Sequence, residues 1–143
     1  MTATARMGRP SLGDRAIMTA PLPIAVLRTA DAVAADHSTD RSAILSDIVC
    51  YHYDRPDLMR HLSQQVLFES RTAAREVTAE GRLIGPHVKV RPPREVADMV
   101  VADYQRRGIT RPTLLADICC YLLGYPNLVR ELNLGKEALP LAM

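Results

Sequence analysis

The feature that most restricts this chain is a second copy of itself. Residues 21–62 align on residues 91–132 at a constant offset of 70 with no gap, and between Arg41 and Leu62 ten of the 22 positions are identical. Arg-Ser-Ala-Ile-Leu-Ser-Asp-Ile-Val-Cys-Tyr, from Arg41 to Tyr51, lies on Arg-Pro-Thr-Leu-Leu-Ala-Asp-Ile-Cys-Cys-Tyr, from Arg111 to Tyr121. An ungapped match this dense marks a tandem repeat, so a backbone that suits one copy has to suit the other. In each copy a stripe recurs at helical spacing, Ile44, Leu45, Ile48 and Val49 matched by Leu114, Leu115, Ile118 and Cys119, and such a stripe is core. With 143 residues, 48% of them hydrophobic but one Phe and no Trp, the chain suits one compact unit or two very small ones rich in aliphatic helix.

Each copy reads as strand, helix, helix. In the second, a short strand over His87–Arg91 runs into a helix started by Pro93, with Val96, Met99 and Val100 on its apolar face. A turn at Gly108, Ile109 and Thr110 then opens another helix. The first copy has a strand at about Ala16 to Leu22, a helix from Pro23 to about Ala35, a turn at His37 to Thr39, and a helix from about Arg41 to Tyr53. Pro23 and Pro93 suit helix starts, where a missing N–H costs nothing, and Asp40 and Thr110 are the expected N-caps of the second helices. Between the copies, Pro56 to about Glu80 reads as a connecting helix with Met59, Leu62, Val66, Ala73 and Val77 along one face, ended by Gly81. It either packs on the domain while carrying the chain across, or serves as an oligomer seam or partner surface. The expected organisation is a flexible arm over 1–15, a first repeat over 16–55, the connecting helix and linker over 56–86, a second repeat over 87–133, and a tail over 134–143.

Strand side chains alternate, so His87, Lys89 and Arg91 share one face and Val88 and Val90 the other. Net charge is only +2, but it is unevenly placed. Residues 82–111 hold seven basic side chains against three acidic ones, whereas residues 31–62 hold six Asp against three Arg. A two-stranded ribbon with donors at every second position fits the major groove of duplex DNA, where each base pair presents its own donor and acceptor pattern.

The segment from His87 to about Leu123 resembles the ribbon-helix-helix superfamily of the Arc and MetJ repressors, most closely at Val-Lys-Val-Arg-Pro-Pro-Arg-Glu-Val between Val88 and Val96. The resemblance implies a mainly α fold in which two units intertwine, two short strands forming an antiparallel ribbon over a four-helix core. Two units in one chain are similar to the duplicated TraY-type members found on conjugative plasmids. It also implies double-stranded DNA as partner, with His87, Lys89 and Arg91 at base-facing positions. Their counterparts at the offset of 70 are Ile17, Thr19 and Pro21, so only Thr19 brings a polar group from the first strand. The family places a phosphate at the start of the second helix, which makes Thr110 and Arg111 candidates for phosphate contact, along with Arg94 and, from the arm, Arg9. The first copy has Asp40 at that helix start, and a carboxylate there repels phosphate. Gly8, Arg9 and Pro10 also resemble the core of an AT-hook, the other reading being a plain leader.

These readings make the chain a sequence-specific DNA binder, expected as a small repressor. The alternatives are a plasmid transfer or partition accessory protein, or an antitoxin that also binds a protein through the 56–80 helix or through Leu139 to Met143. Self-association of pseudo-dimeric monomers on DNA is a further expected contact. No enzyme, catalytic residue, metal or cofactor is expected. His37, His52, His61 and His87 show no metal-ligand spacing, no Gly-rich phosphate loop is present, and Cys50, Cys119 and Cys120 lack a Cys-x-x-Cys pattern. With no membrane-length apolar run and no secretory h-region, a cytoplasmic protein is expected.

Overall fold

The computed structural model describes residues 15–132, so the arm except Arg15, the candidate contact Arg9, and the tail 134–143 lie outside the described residues. The described residues are mainly helical with one two-stranded antiparallel sheet. In order come β1 (Met18–Pro23), α1 (Ile24–Asp36), α2 (Arg41–His52), a 3-10 turn (Pro56–Leu58), α3 (Gln64–Arg71), a second 3-10 turn (Glu80–Arg82), β2 (Ile84–Val90), α4 (Arg94–Arg107), α5 (Arg111–Leu122) and a last 3-10 turn (Pro126–Leu128).

The two strands pair with each other, Met18 opposite Val90, Thr19 opposite Lys89, Ala20 opposite Val88 and Pro21 opposite His87. Met18, Ala20, Leu22, Val88 and Val90 turn inward and are buried, as the alternation requires. β2 begins three residues earlier than its sequence suggests, at Ile84. Pro86 and Gly85 read as strand breakers, yet a two-stranded ribbon has only edge strands, where a missing N–H is tolerated. Beyond the bulge between Pro21 and Pro23, the Leu83 carbonyl accepts the first N–H of α1, from Ile24, at 2.8 Å. Pro23 and Pro93 occupy the N-cap positions of α1 and α4 rather than the first helical residue.

The core forms where α2 packs on α5, and the stripe expected from the repeat is fully buried there. β1 lies against α5 and β2 against α2, so each strand covers the second helix of the other copy. Neither copy closes a core alone.

The repeat extends to the backbone. Asp47, buried at the centre of α2, accepts the N–H groups of Arg60, His61 and Leu62 at 2.9, 2.7 and 2.9 Å. Asp117 accepts those of Arg130, Glu131 and Leu132 at 2.9, 2.8 and 3.0 Å, every partner displaced by 70. Three charge-assisted bonds compensate each carboxylate for its lost hydration. Left-handed residues recur at the same offset: Ser38 (φ 55) with Gly108 (φ 70), and Asp54 (φ 60) with Gly124 (φ 91).

The Asp47 bonds also break the expected connecting helix. They capture three N–H groups that a helix running on from Pro56 would need, and the chain bends at residues 60 and 61 between extended Met59 and Ser63. Ser63 then caps a new helix, its Oγ accepting from the Val66 N–H at 3.2 Å, but α3 lasts only 8 residues. Downstream, Ala74 turns left-handed (φ 51), the Arg75 N–H donates to the Gly124 carbonyl at 2.7 Å, and Arg75 Nε donates to the Leu123 carbonyl at 2.9 Å. Hydrogen bonds to α2 and to the end of α5 therefore replace an uninterrupted 56–80 helix.

Candidate nucleic-acid interface

The outer face of the ribbon carries Thr19 beside Lys89 and Pro21 beside His87, and Thr19, Lys89 and His87 are all exposed. Ile17, just before β1, is 63% exposed and extends this face with an apolar side chain. Arg91 stands one residue past β2 and is half-buried. Its N–H donates to Ser46 Oγ at 2.9 Å, its carbonyl accepts from Arg15 at 2.6 Å, and its Nε is enclosed without a hydrogen-bond partner. Thus His87, Lys89 and Thr19 share one open surface, with Arg91 anchored at its end.

The candidate phosphate contacts lie on other elements. Arg94 is exposed in the first turn of α4, whose N-cap Pro93 supplies no side-chain acceptor. Thr110 caps α5, its Oγ1 accepting from the Thr113 N–H at 3.4 Å and donating to Thr113 Oγ1 at 2.9 Å. That cap, with Pro112 lacking an N–H, leaves Arg111 as the first-turn residue whose N–H is neither capped nor absent. An anion at this helix start would therefore be met mainly by side chains. Arg111 is half-buried, with its Nε enclosed and unbonded.

The matching start of α2 differs in charge. Asp40 accepts from the Ala43 N–H at 2.9 Å, placing a carboxylate where the second copy has a hydroxyl. Arg41 forms a two-pronged bond to Asp31, at 2.8 and 2.7 Å. The Arg41 hydrogen bonds hold the Asp31 carboxyl below its ordinary range, and Asp31 in turn raises the Arg41 guanidinium. The second copy has Val101 where the first has Asp31, so Arg111 has no equivalent carboxylate. The spacing of ten residues across a helix–helix turn hid this pairing from sequence reasoning, although the substitution of Asp31 by valine in the second copy was visible.

Buried ion pairs also redistribute the basic charge. Asp103 receives Arg106 at 2.7 Å, Arg107 at 2.8 Å and the Tyr53 hydroxyl at 2.8 Å. Burial alone would raise the Asp103 carboxyl, but hydrogen bonds from Tyr53, Arg107 and Arg106 outweigh it and hold the carboxyl below its ordinary value. Burial, helped by the bond to Asp103, pushes the Tyr53 phenol up. Two of the seven bases counted between residues 82 and 111 are thereby committed to Asp103.

The three cysteines are buried free thiols, and burial pushes Cys50 up to about 11 and Cys120 up to about 12. Among the described residues no group of three or more His, Cys, Asp or Glu is placed to hold a metal ion, and no helix is long and apolar enough to cross a membrane. Compared with protein-family models, curated proteins and solved structures, the chain matches none of them.

Proposed function

We propose that the chain is a sequence-specific double-stranded DNA-binding protein, a ribbon-helix-helix pair within one chain that lays its β1–β2 ribbon in the major groove and acts as a small repressor. The observation that carries this reading is the division of the ribbon. Its inner face is wholly apolar and sealed by helices of both copies, while its outer face presents Lys89, His87 and Thr19 on a rigid two-stranded platform. A structural ribbon needs only the first of these faces. A groove roughly 12 Å wide admits two strands, and side chains at every second position then meet base edges.

The two strands offer different chemistry. Lys89 and Arg91 donate to guanine O6 and N7, each good contact contributing about 1–3 kcal/mol of discrimination, whereas Thr19 and Ile17 offer mainly methyl contact to thymine. The bound site should be lopsided, with a G-containing half beside a weakly specified one. Selection from a randomised duplex pool followed by footprinting tests this. Lys89→Ala should relax preference at particular base pairs, and Thr19→Ala should change affinity little. A compact palindrome bound by one chain, or no preference over competitor DNA, would refute the reading. A plasmid-accessory role uses the same ribbon. An antitoxin role needs a protein-binding surface as well, for which α3 offers Phe68, 46% exposed beneath the Arg71 guanidinium.

A further inference from the structure

β2 ends at Val90, and the next residue, Arg91, gives its N–H to a helix rather than to a strand. The acceptor is Ser46 Oγ, at 2.9 Å, in the middle of α2 of the other copy. Ser46 is 3% exposed, and its own hydroxyl donates to the Ser42 carbonyl at 2.8 Å. With its proton committed there, the hydroxyl can only accept from Arg91. The Arg91 carbonyl accepts from Arg15 at 2.6 Å, so both polar groups of its backbone are held.

The other copy shows what the hydroxyl is for. β1 lies against α5 as β2 lies against α2, and at the offset of 70 Arg91 becomes Pro21 while Ser46 becomes Ala116. Proline has no N–H to satisfy and alanine has no hydroxyl to offer, so donor and acceptor are present together or absent together. Packing alone is met by alanine, since Ala116 is buried in the matching place. The serine stands only where an arginine follows the strand. That arginine is half-buried, and its Nε is enclosed without a hydrogen-bond partner. Outward contact therefore falls to its terminal nitrogens, carried on a stem whose origin the backbone bonds fix.

We propose that Ser46 is a positioning residue for Arg91: its buried hydroxyl sets where the arginine emerges beyond β2, and so determines the sharpness with which that arginine discriminates its base pair. The inference rests on the ribbon reading duplex DNA. A recognition side chain has to be held within about 0.5 Å of its productive place, by neighbours that are themselves fixed. Lys89 has the ribbon for this, being paired with Thr19 inside the sheet. Arg91 lies outside the paired strand and has α2 instead. Removing the hydroxyl should blur one base contact and spare its neighbour.

The test competes the full chain against duplexes that carry each base in turn at every position of the selected site. Ser46→Ala, which should fold because alanine fills the matching place, is expected to cut discrimination by about fivefold or more at the base pair where Arg91→Ala also cuts it. Discrimination at the Lys89 base pair should be unchanged, and Ser46→Ala should add nothing in the Arg91→Ala background. An equal loss at all positions, or no loss at the Arg91 base pair, would overturn the proposal. A second measurement uses no DNA: exchange of the Arg91 amide with solvent should speed up by about tenfold in Ser46→Ala, and an unchanged rate would also overturn it. A wild type with no base preference anywhere fails the ribbon reading and takes this role with it. Wild-type preference that Ser46→Ala leaves intact fails the proposal alone.

Discussion

Asp47 and Asp117 perform the same task 70 residues apart, while Arg41 and Arg111, also 70 apart and identical in type, do not. Both aspartates are buried and each grips three consecutive N–H groups in the run after its helix. Both arginines open their helices, but Arg41 is locked to Asp31 and Arg111 has no such carboxylate. Where a side chain is enclosed, three donors with no water to turn to leave a single workable residue type. At the surface a neighbour can change the sign of the local field without disturbing the fold, so the two copies share a core and differ in what they present.

The largest effects should strike both copies alike. Ile118→Asp and Ile48→Asp each put an unpaired charge into the fully buried α2–α5 stripe, a cost of several kcal/mol against a total of about 5–15, so both variants should be unfolded by circular dichroism at 25 °C. If either keeps its melting temperature, the two stripes are not equivalent. Next come Asp47→Ala and Asp117→Ala. Each strands three N–H groups and should lose about 3–5 kcal/mol in urea denaturation, the two values agreeing within about 1 kcal/mol. A much smaller loss at Asp117 would make the second loop dispensable and break the comparison.

Asp103 distinguishes the copies inside the protein, since Val33 stands at the matching position. Its carboxyl lies below its unfolded value, so its stabilisation is fully present above the unfolded carboxylate value of about 3.9 and is lost as pH falls through the lower folded value. Asp103→Asn should therefore cost about 2 kcal/mol at neutral pH. The gap in melting temperature between wild type and variant should narrow steadily as pH falls below about 4, and a gap independent of pH would mean that the carboxylate charge does not matter.

The smallest effect sharpens the surface comparison most. Asp31→Ala releases Arg41 and should alter stability by less than about 1 kcal/mol, because the pair is largely exposed. Duplex affinity should rise a few-fold, and the salt slope should steepen by up to about one as a second arginine becomes available to phosphate. No change in slope would show that the start of α2 faces away from DNA.

Much of this architecture could be read from residues alone. The order strand, helix, helix in each copy, the caps Asp40 and Thr110, the buried stripe and the polar ribbon face all follow from alternation, helical spacing and capping chemistry. Those signals act between residues within about four positions of each other, so the local sequence contains both partners of the interaction. The connecting segment went wrong for the opposite reason. Its periodicity from Pro56 to Glu80 is helical, but the acceptor that competes for the N–H groups of residues 60–62 is Asp47, on another helix. The same holds for Arg41 with Asp31, and for Arg55 with Glu95 forty residues away. Within the two repeats, the sequence by itself indicated the order of helix and strand and which of their faces are apolar. Tertiary structure alone decided that β1 pairs with β2 in this register, and that Arg41 meets Asp31 and Arg55 meets Glu95. Charge pairing depends on distances of a few ångströms between groups far apart in the chain, and only the packing of the elements against one another sets those distances.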